Sequence, residues 1–256
     1  MARVKPKKYL GQHFLKDRTI AEKISDSLTG SGYQAVLEIG PGMGILTGYI
    51  IARAFPDFKV VEIDEESVHY LKSKYPELKI ISDDFLELDI DSLFPGKLAV
   101  IGNFPYNISS QIFFRILEHR DKVTEVCCML QKEVAERICA GPGSKVYGIL
   151  SVLLQAYYSA EYLFSVPPEV FSPPPKVLSG VIRLKRNGVE RLGCDEKLFF
   201  SVVRACFNHR RKILRNSVKA AFTLKNYDYD ELYLRPEQLS VDQFVRLTCW
   251  IGKNRI

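Results

Sequence analysis

The chain has 256 residues, of which 46% are hydrophobic and 26% charged, and its formal net charge is +6. This composition is typical of a globular protein and excludes a disordered chain, and no apolar run reaches the roughly 18 residues that cross a bilayer. The basic N-terminus lacks the apolar stretch of a secretory signal, so we expect a cytoplasmic protein without membrane contact.

The six cysteines and four histidines form no recognisable metal-binding or disulfide pattern. No two cysteines have the C-x-x-C spacing, and the histidines lie far apart along the chain. A zinc site needs clustered ligands, and disulfide frameworks are typical of shorter, secreted chains. We therefore expect no metal and no disulfide, with the cysteines acting as small buried side chains.

From residue 18 to residue 186, strand-like apolar segments alternate with segments of helical periodicity. The predicted helices are residues 20–28, 45–54, 68–75, 110–119, 132–138 and 147–159. The predicted strands are residues 35–40, 59–64, 78–82, 97–103, 125–130 and 179–186. This alternation predicts a doubly wound α/β fold with a mainly parallel sheet.

After the last predicted strand the pattern is helical only, which predicts two domains, residues 1–187 and residues 188–256. Residues 197–227 contain eight Lys or Arg and no Asp or Glu, and helical spacing places several of these cations on one face of a helix. Such a face fits a polyanion, although a solvated helix face is the alternative. The candidate RNA contacts are Arg204, Arg210, Arg211, Lys212 and Arg215.

Three glycines follow the first predicted strand in the segment EIGPGMG (38–44). Glycines let a backbone turn sharply and approach a ligand closely. The spacing is neither the G-x-G-x-x-G of dinucleotide folds nor that of a P-loop. Glu62 and Asp84 follow the next two strands, where they could accept hydrogen bonds from a ribose diol and an adenine amino group. An adenosyl ligand without a diphosphate, such as S-adenosylmethionine, fits these three elements, whereas a plain turn and two surface acids are the alternative.

The predicted strand 97–103 ends at the turn Asn103, Phe104, Pro105 and Tyr106, which by itself could simply terminate the strand. Its functional interpretation rests on the adenine amino group, whose lone pair is delocalised into the ring. The Asn103 side-chain oxygen and the Phe104 carbonyl could hold the N6 hydrogens and align that lone pair with a methyl sulfonium. Tyr106 could stack on the base. Phe171, in the proline-rich segment 166–177, could cover the other face of the base or fill the core.

Nine sequence segments, spread over nearly the whole chain, carry a family resemblance. They are GQHFL (11–15), EIGPGMGILT (38–47), VEID (61–64), DFL (84–86), NFPYNISS (103–110), MLQKEVAERI (129–138), SKVYGILSVL (144–153), VPPEVFSPPPKVLS (166–179) and FNHRRKILRNS (207–217). Together they resemble the small-subunit ribosomal RNA adenine dimethyltransferases.

The resemblance implies a Rossmann-like class I methyltransferase sheet, with its last strand antiparallel, and a small C-terminal helical domain. It implies that S-adenosylmethionine is used to dimethylate N6 of two adjacent adenosines in a hairpin loop near the 3′ end of small-subunit ribosomal RNA. It also implies a role in maturation of a pre-assembled small ribosomal subunit and, for the enzyme itself, a monomer.

Matching positions imply roles for individual residues. Gln12, His13 and Leu15 border the cofactor, although many members have Asn where this chain has His13. Gly40 contacts the methionine end of the cofactor, Glu62 the ribose, and Asp84 with Phe85 the adenine. Asn103 joins the cofactor pocket to the catalytic turn formed with Phe104, Pro105 and Tyr106. Phe104 stands at a position of this turn where many family members have Leu. Tyr106 and Phe171 lie on opposite faces of the target base.

Two alternatives remain open at this point. A related antibiotic-resistance enzyme methylates large-subunit RNA and shares the glycine loop and the Asn-x-Pro-Tyr turn. A non-catalytic assembly factor could keep the fold without the chemistry, although intact Gly40, Glu62, Asn103, Pro105 and Tyr106 argue against it.

Overall fold

A computed structural model describes residues 4–256 of the chain. Its strands are β1 (Phe14–Leu15), β2 (Ala35–Ile39), β3 (Asp57–Val61), β4 (Lys79–Ile81), β5 (Leu98–Asn103), β6 (Val123–Gln131), β7 (Tyr158–Val166), β8 (Phe171–Ser172) and β9 (Ser179–Arg186). Its α-helices are α1 (Arg18–Asp26), α2 (Ile45–Ala52), α3 (Glu65–Lys74), α4 (Ile90–Leu93), α5 (Ser109–Glu118), α6 (Lys132–Cys139), α7 (Ile149–Gln155), α8 (Glu196–Asn208), α9 (Leu214–Ala221) and α10 (Val241–Asn254).

Seven strands form the main sheet, in the order β4-β3-β2-β5-β6-β9-β7. The strand pairs from β4 to β6 are all parallel, and β9 runs antiparallel to β6. The sheet order reverses between β2 and β5, so loops that follow these strands open into a crevice suited to a ligand. These findings confirm the predicted mainly parallel sheet with an antiparallel last strand.

One face of this sheet packs against α1 and α2. Side chains alternate between the faces of a strand, so every second residue of the central strands points to these helices. The hydrophobic cluster on this face includes Val36, Ala99, Ile101, Cys127, Met129, Val181, Ile24 and Ile50. Each of these side chains is essentially inaccessible to solvent, and the packing fixes the strand ends that carry the polar site residues.

Most predicted bounds differ from the structure by a few residues, and two of the differences affect the interpretation. The predicted helix 147–159 is wrong beyond residue 155, because α7 ends at Gln155 and β7 begins at Tyr158. The run of apolar and aromatic residues there contains no Gly or Pro to mark the change, so periodicity alone extends the helix. The predicted strand 59–64 ends early, at Val61, which leaves Glu62 in the loop after β3.

The basic segment forms two helices and a loop, so the prediction that helical spacing places its cations on one helix face is wrong for the residues in the loop. Helix α8 ends at Asn208 and α9 begins at Leu214. The sequence between Phe207 and Ile213 is NHRRK, which offers no apolar side chain to anchor a helical turn. Its adjacent cations also repel one another. Arg210, Arg211 and Lys212 consequently lie in the loop.

The chain divides into two compact units. The first contains the described residues up to 135 together with 160–186, and it holds most of the sheet. The second contains residues 136–159 and 187–256 and is built mainly from helices. Residues 136–159 thus group with the C-terminal helices, whereas the sequence pattern alone assigns them to the first domain. The functional assignment of the two domains stays a prediction.

Within residues 4–256, the structure contains no helix long and apolar enough to cross a bilayer.

Candidate active site

A cavity of ≈ 280 Å³ opens at the carboxyl ends of β2, β3, β4 and β5. Every predicted cofactor residue lines it: Gln12, His13, Leu15, Gly40, Glu62, Asp84, Phe85 and Asn103. The catalytic turn also lines it, through Phe104, Pro105 and Tyr106. Segments up to about 90 residues apart along the chain therefore meet at one cavity, while the roles assigned to these residues stay predictions.

The glycine loop between β2 and α2 needs its glycines. Gly40, Gly42 and Gly44 have φ of 64°, 53° and 68°, a left-handed conformation that other residues rarely adopt. At Gly42 there is also no room, because a Cβ atom would lie 2.9 Å from the ring of Phe14. The loop can thus follow this path only with glycine, and its backbone faces the cavity.

Glu62 is the acid at the end of the second parallel strand, and it is only 5% exposed. Its carboxylate accepts hydrogen bonds from the amides of Gly42, at 3.1 Å, and Asp64, at 2.9 Å. Burial raises its pKa, and the two amide hydrogen bonds partly offset that effect. Each carboxylate oxygen keeps a further lone pair, so the group can still accept hydrogen bonds from a diol in the cavity.

Asp84 and Phe85 follow β4 at the far end of the cavity. Phe85 is buried, and Asp84 is half-buried and caps the loop by accepting a hydrogen bond from the Leu86 amide at 2.9 Å. One oxygen of Asp84 is therefore held in place, and a flat apolar ring lies beside it. This pairing suits a heteroaromatic base that carries an exocyclic amino group.

The N-terminal segment is tied to the acidic edge of the cavity. Lys7 forms an ion pair with Asp64, and the Gln12 side chain donates to the other Asp64 oxygen at 3.3 Å. Burial alone would raise the pKa of Asp64, but hydrogen bonds from Lys7, Ser67 and Gln12 hold it below its usual value. Part of the N-terminal basic block thus has a structural partner inside the protein.

Asn103 lies at the end of β5, between the glycine loop and the catalytic turn. Its side-chain Nδ2 donates to the main-chain carbonyl of His13 at 3.0 Å, which fixes the orientation of the amide. The Oδ1 atom is buried and has no hydrogen-bond partner among the described residues. Because an unpaired buried acceptor costs about 1–3 kcal/mol, its presence in a cavity wall indicates a ligand that donates to it.

The two aromatic residues of the turn have different environments. Phe104 is buried, and its ring packs edge-on against Phe113 with centroids 5.8 Å apart. A ring that fills the core in this way leaves only the main chain of Phe104 for chemistry at the cavity. Tyr106 is half-buried, and its hydroxyl lies 2.6 Å from the Ser179 hydroxyl. Burial raises the pKa of Tyr106, so the phenol is neutral at physiological pH.

Phe171 does not join the cavity wall. Its ring is 1% exposed and belongs to the hydrophobic cluster of the first unit. Strand β8 pairs with β1 so that Phe171 is opposite Leu15, which places the ring in the core. The structure therefore shows the core position that the sequence left open. Covering a target base with this ring stays a prediction that requires the ring to move.

Two of the cavity residues that sequence reasoning missed have unusual environments. Glu38 is a fully buried acid near the carboxyl end of β2, and burial, with the nearby Glu62 carboxylate, raises its pKa to about 8. A charged residue within the apolar run AVLEIG is the signal that could have identified it. Ile63 lines the cavity and is 51% exposed, although it is a large apolar side chain. Its place directly after Glu62 suits contact with the flat face of a base.

The candidate RNA contacts lie in the second unit. Arg204, Arg211 and Lys212 are exposed, and Arg210 and Arg215 are partly buried. Arg210 donates a hydrogen bond to the main-chain carbonyl of Lys145, which anchors the loop between α8 and α9. Three of these five side chains are thus largely accessible to solvent, as binding to a polyanion requires.

The sheet order, the glycine loop and the acid at the next strand end together define a Rossmann-like methyltransferase fold. The sequence model of the ribosomal RNA adenine dimethylases matches residues 3–250 of the chain. The chain belongs to this family. Its members use S-adenosylmethionine as the methyl donor and act on ribosomal RNA, which confirms the predicted enzyme class and cofactor.

Individual relatives support the assignment of the chain to this family. A protein of Parabacteroides distasonis named ribosomal RNA small subunit methyltransferase A is 58% identical, over 97% of this chain and 94% of its own length. A protein of the same name from Cytophaga hutchinsonii is 56% identical, over 97% and 98%. Among solved structures, a dimethyladenosine transferase of Plasmodium falciparum is 25% identical with a TM-score of 0.78, over 94% of this chain and 98% of its own. The 23S rRNA methyltransferase ErmE is also 25% identical, with a TM-score of 0.67, over 93% and 99%.

The residues of the cavity fit S-adenosylmethionine. A Cβ atom at Gly40 would lie 3.9 Å from the Asn103 main-chain oxygen, in the space between the glycine loop and the catalytic turn. A glycine there keeps that space available to the methionine end of the ligand. Glu62 provides acceptors for a ribose, and Phe85 and Asp84 a base pocket. Within residues 4–256, no group of three His, Cys, Asp or Glu side chains is arranged to hold a metal ion.

Proposed function

We propose that the chain dimethylates N6 of two adjacent adenosines in the hairpin loop near the 3′ end of small-subunit ribosomal RNA. Relatives named for methylation of the small subunit are 58% and 56% identical over nearly the whole chain. The dimethyladenosine transferase structure has a TM-score of 0.78, against 0.67 for the large-subunit enzyme ErmE. Both comparisons support the small-subunit substrate. The resemblance further supports a monomer that acts in the cytoplasm on a partly assembled small subunit and contributes to its maturation.

The single observation that carries the chemistry is the buried, unpartnered Oδ1 of Asn103. S-adenosylmethionine supplies an electrophilic methyl group on a sulfonium. Asn103 Oδ1 accepts a hydrogen bond from one N6 hydrogen, and the Phe104 carbonyl accepts the other. These contacts would turn the N6 lone pair out of conjugation and toward the methyl group, so that no strong base is needed before the transfer. The nitrogen gains the methyl group as the methyl–sulfur bond breaks, which leaves a neutral thioether, and the nitrogen then releases one proton to solvent. In the second transfer, the single remaining N6 hydrogen is held by one of the two acceptors.

Other residues hold the reactants around this contact. Tyr106 offers a neutral aromatic ring for stacking of the extruded base, worth about 1–3 kcal/mol. Glu62 and the glycine loop would hold S-adenosylmethionine, which would supply the methyl group, on the side of the cavity next to Asn103. The exposed cations of the second unit bind the phosphate backbone, which positions the hairpin without selecting a base.

The substitution Asn103→Ala tests this proposal. We expect methyl transfer to unmethylated small subunits to fall about 10²–10³-fold, because the variant loses a pre-oriented acceptor at the reacting nitrogen. Binding of the variant to the unmethylated small subunit should change little. Asn187→Ala, at an exposed position outside the cavity wall, provides the control. Near-normal turnover by Asn103→Ala would refute the role assigned to the side chain.

A further inference from the structure

The imidazole of His13 lies against the ring of Tyr106. The two ring centroids are 5.6 Å apart and the ring planes are inclined by 29°, which is a stacked arrangement. Atoms in contact lie about 3.5–4.0 Å apart, so a base inserted between two rings would hold them about 7–8 Å apart. A separation of 5.6 Å leaves no room for an adenine between His13 and Tyr106.

His13 is held in place by two further contacts. Its ring Nδ1 lies 2.8 Å from the main-chain oxygen of Pro173, and its own main-chain oxygen accepts a hydrogen bond from Asn103. Since a carbonyl can only accept, Nδ1 carries the proton of this hydrogen bond. His13 also directly precedes β1, which pairs with β8. The imidazole is thus anchored to the same segments that frame the catalytic turn.

Tyr106 is held from a second direction. Its hydroxyl lies 2.6 Å from the Ser179 hydroxyl, while His13 covers one face of the ring. These two contacts hold the Tyr106 ring at its hydroxyl and on one face. The Phe171 ring, by contrast, packs in the hydrophobic core.

We propose that His13 is a positioning residue for the target base: its imidazole backs one face of Tyr106, so that the adenine stacks on the opposite face with N6 at Asn103 Oδ1. This inference rests on the proposed function and assigns the His13 ring to the base, whereas the family resemblance assigns this position to the cofactor. An asparagine at this position would cover less of the Tyr106 ring, so the histidine gives this chain a more firmly held stacking platform.

A double-substitution cycle tests the inference, with methyl transfer to unmethylated small subunits as the rate. We expect His13→Ala to lower kcat about tenfold, and His13→Phe, which keeps a ring, to restore most of the rate. The pair His13→Ala with Tyr106→Ala should be no slower than Tyr106→Ala alone, because His13 acts through Tyr106. The dissociation constant of S-adenosylmethionine, measured by calorimetry, should change less than about twofold in His13→Ala.

Three outcomes would overturn the inference. Additive losses in the double variant would mean that His13 acts independently of Tyr106. A large rise in the cofactor dissociation constant of His13→Ala, with no effect on kcat, would assign the ring to the cofactor. An unchanged kcat in His13→Ala would give the ring no role. If the unaltered protein transfers no methyl group to small subunits, the proposed function itself fails, and this inference with it. Thermal unfolding of each variant checks that it is folded.

Discussion

Glu38 couples the stability of the cofactor-free protein to pH. The residue is 1% exposed near the carboxyl end of β2, and its Oε2 has no hydrogen-bond partner among the described residues. Burial raises its pKa from 4.5 to about 8, and the Glu62 carboxylate adds to the effect. Between these two values the folded protein holds a proton that the unfolded chain has released. Raising the pH through this window therefore destabilises the folded state.

The size of the effect follows from the width of that window. One pKa unit corresponds to about 1.36 kcal/mol, so the full window is worth roughly 4–5 kcal/mol. Glutamine has nearly the same shape and cannot ionise, so Glu38→Gln should behave like the protonated acid at every pH. Between about pH 5.5 and 7.5 the unaltered protein should lose roughly 2–3 kcal/mol relative to the variant.

Urea unfolding at several pH values, without cofactor, measures this difference directly. Other groups, including Glu62 with its raised pKa, also change the free energy of unfolding with pH. Their contributions are largely the same in both proteins and therefore cancel when the two free energies are subtracted. We expect the two stabilities to be similar near pH 5 and to separate steadily as the pH rises. A difference that stays constant across this range would refute the reasoning, because it would mean that Glu38 does not change its ionisation on folding.

Three other substitutions have defined outcomes. Gly102→Ala should cost about 1–3 kcal/mol in urea unfolding or prevent folding, because its Cβ would lie 2.4 Å from the Ile39 carbonyl oxygen; unchanged stability would contradict the packing. Glu62→Gln should raise the calorimetric dissociation constant of S-adenosylmethionine about tenfold or more, and an unchanged constant would remove the ribose assignment. Arg211→Glu with Arg215→Glu should weaken RNA binding and flatten its dependence on salt; if both stay the same, this basic segment is only solvated surface.

Much of the first unit could be predicted from the sequence because its signals are local. The glycine loop, the apolar strands and the acids at the strand ends each occupy a few adjacent residues. Parallel topology then brings Glu62 and Asp84 to one edge without further information. The family resemblance added the N-terminal segment 11–15, which no periodicity connects to the cavity.

The features that escaped prediction depend on contacts between distant residues. His13 and Tyr106 are 93 residues apart, and nothing in either local segment indicates that their rings stack. The core position of Phe171 follows from the pairing of two-residue strands, which are too short to give a pattern. Strand β7 was hidden because its apolar and aromatic residues continue the helical run before it. In each case tertiary contacts, rather than local preference, decided the outcome.

Methyl transfer from labelled S-adenosylmethionine to unmethylated small and large ribosomal subunits, measured in parallel, tests the central claim most directly. Mass spectrometry of the digested RNA identifies the modified nucleoside and its position. We predict N6-dimethyladenosine at two adjacent positions, confined to the 3′-terminal hairpin of the small-subunit RNA. Label in the large-subunit RNA would contradict the proposed substrate and indicate a resistance-type enzyme. Binding to the small subunit without any label would contradict the proposed activity and indicate an assembly factor.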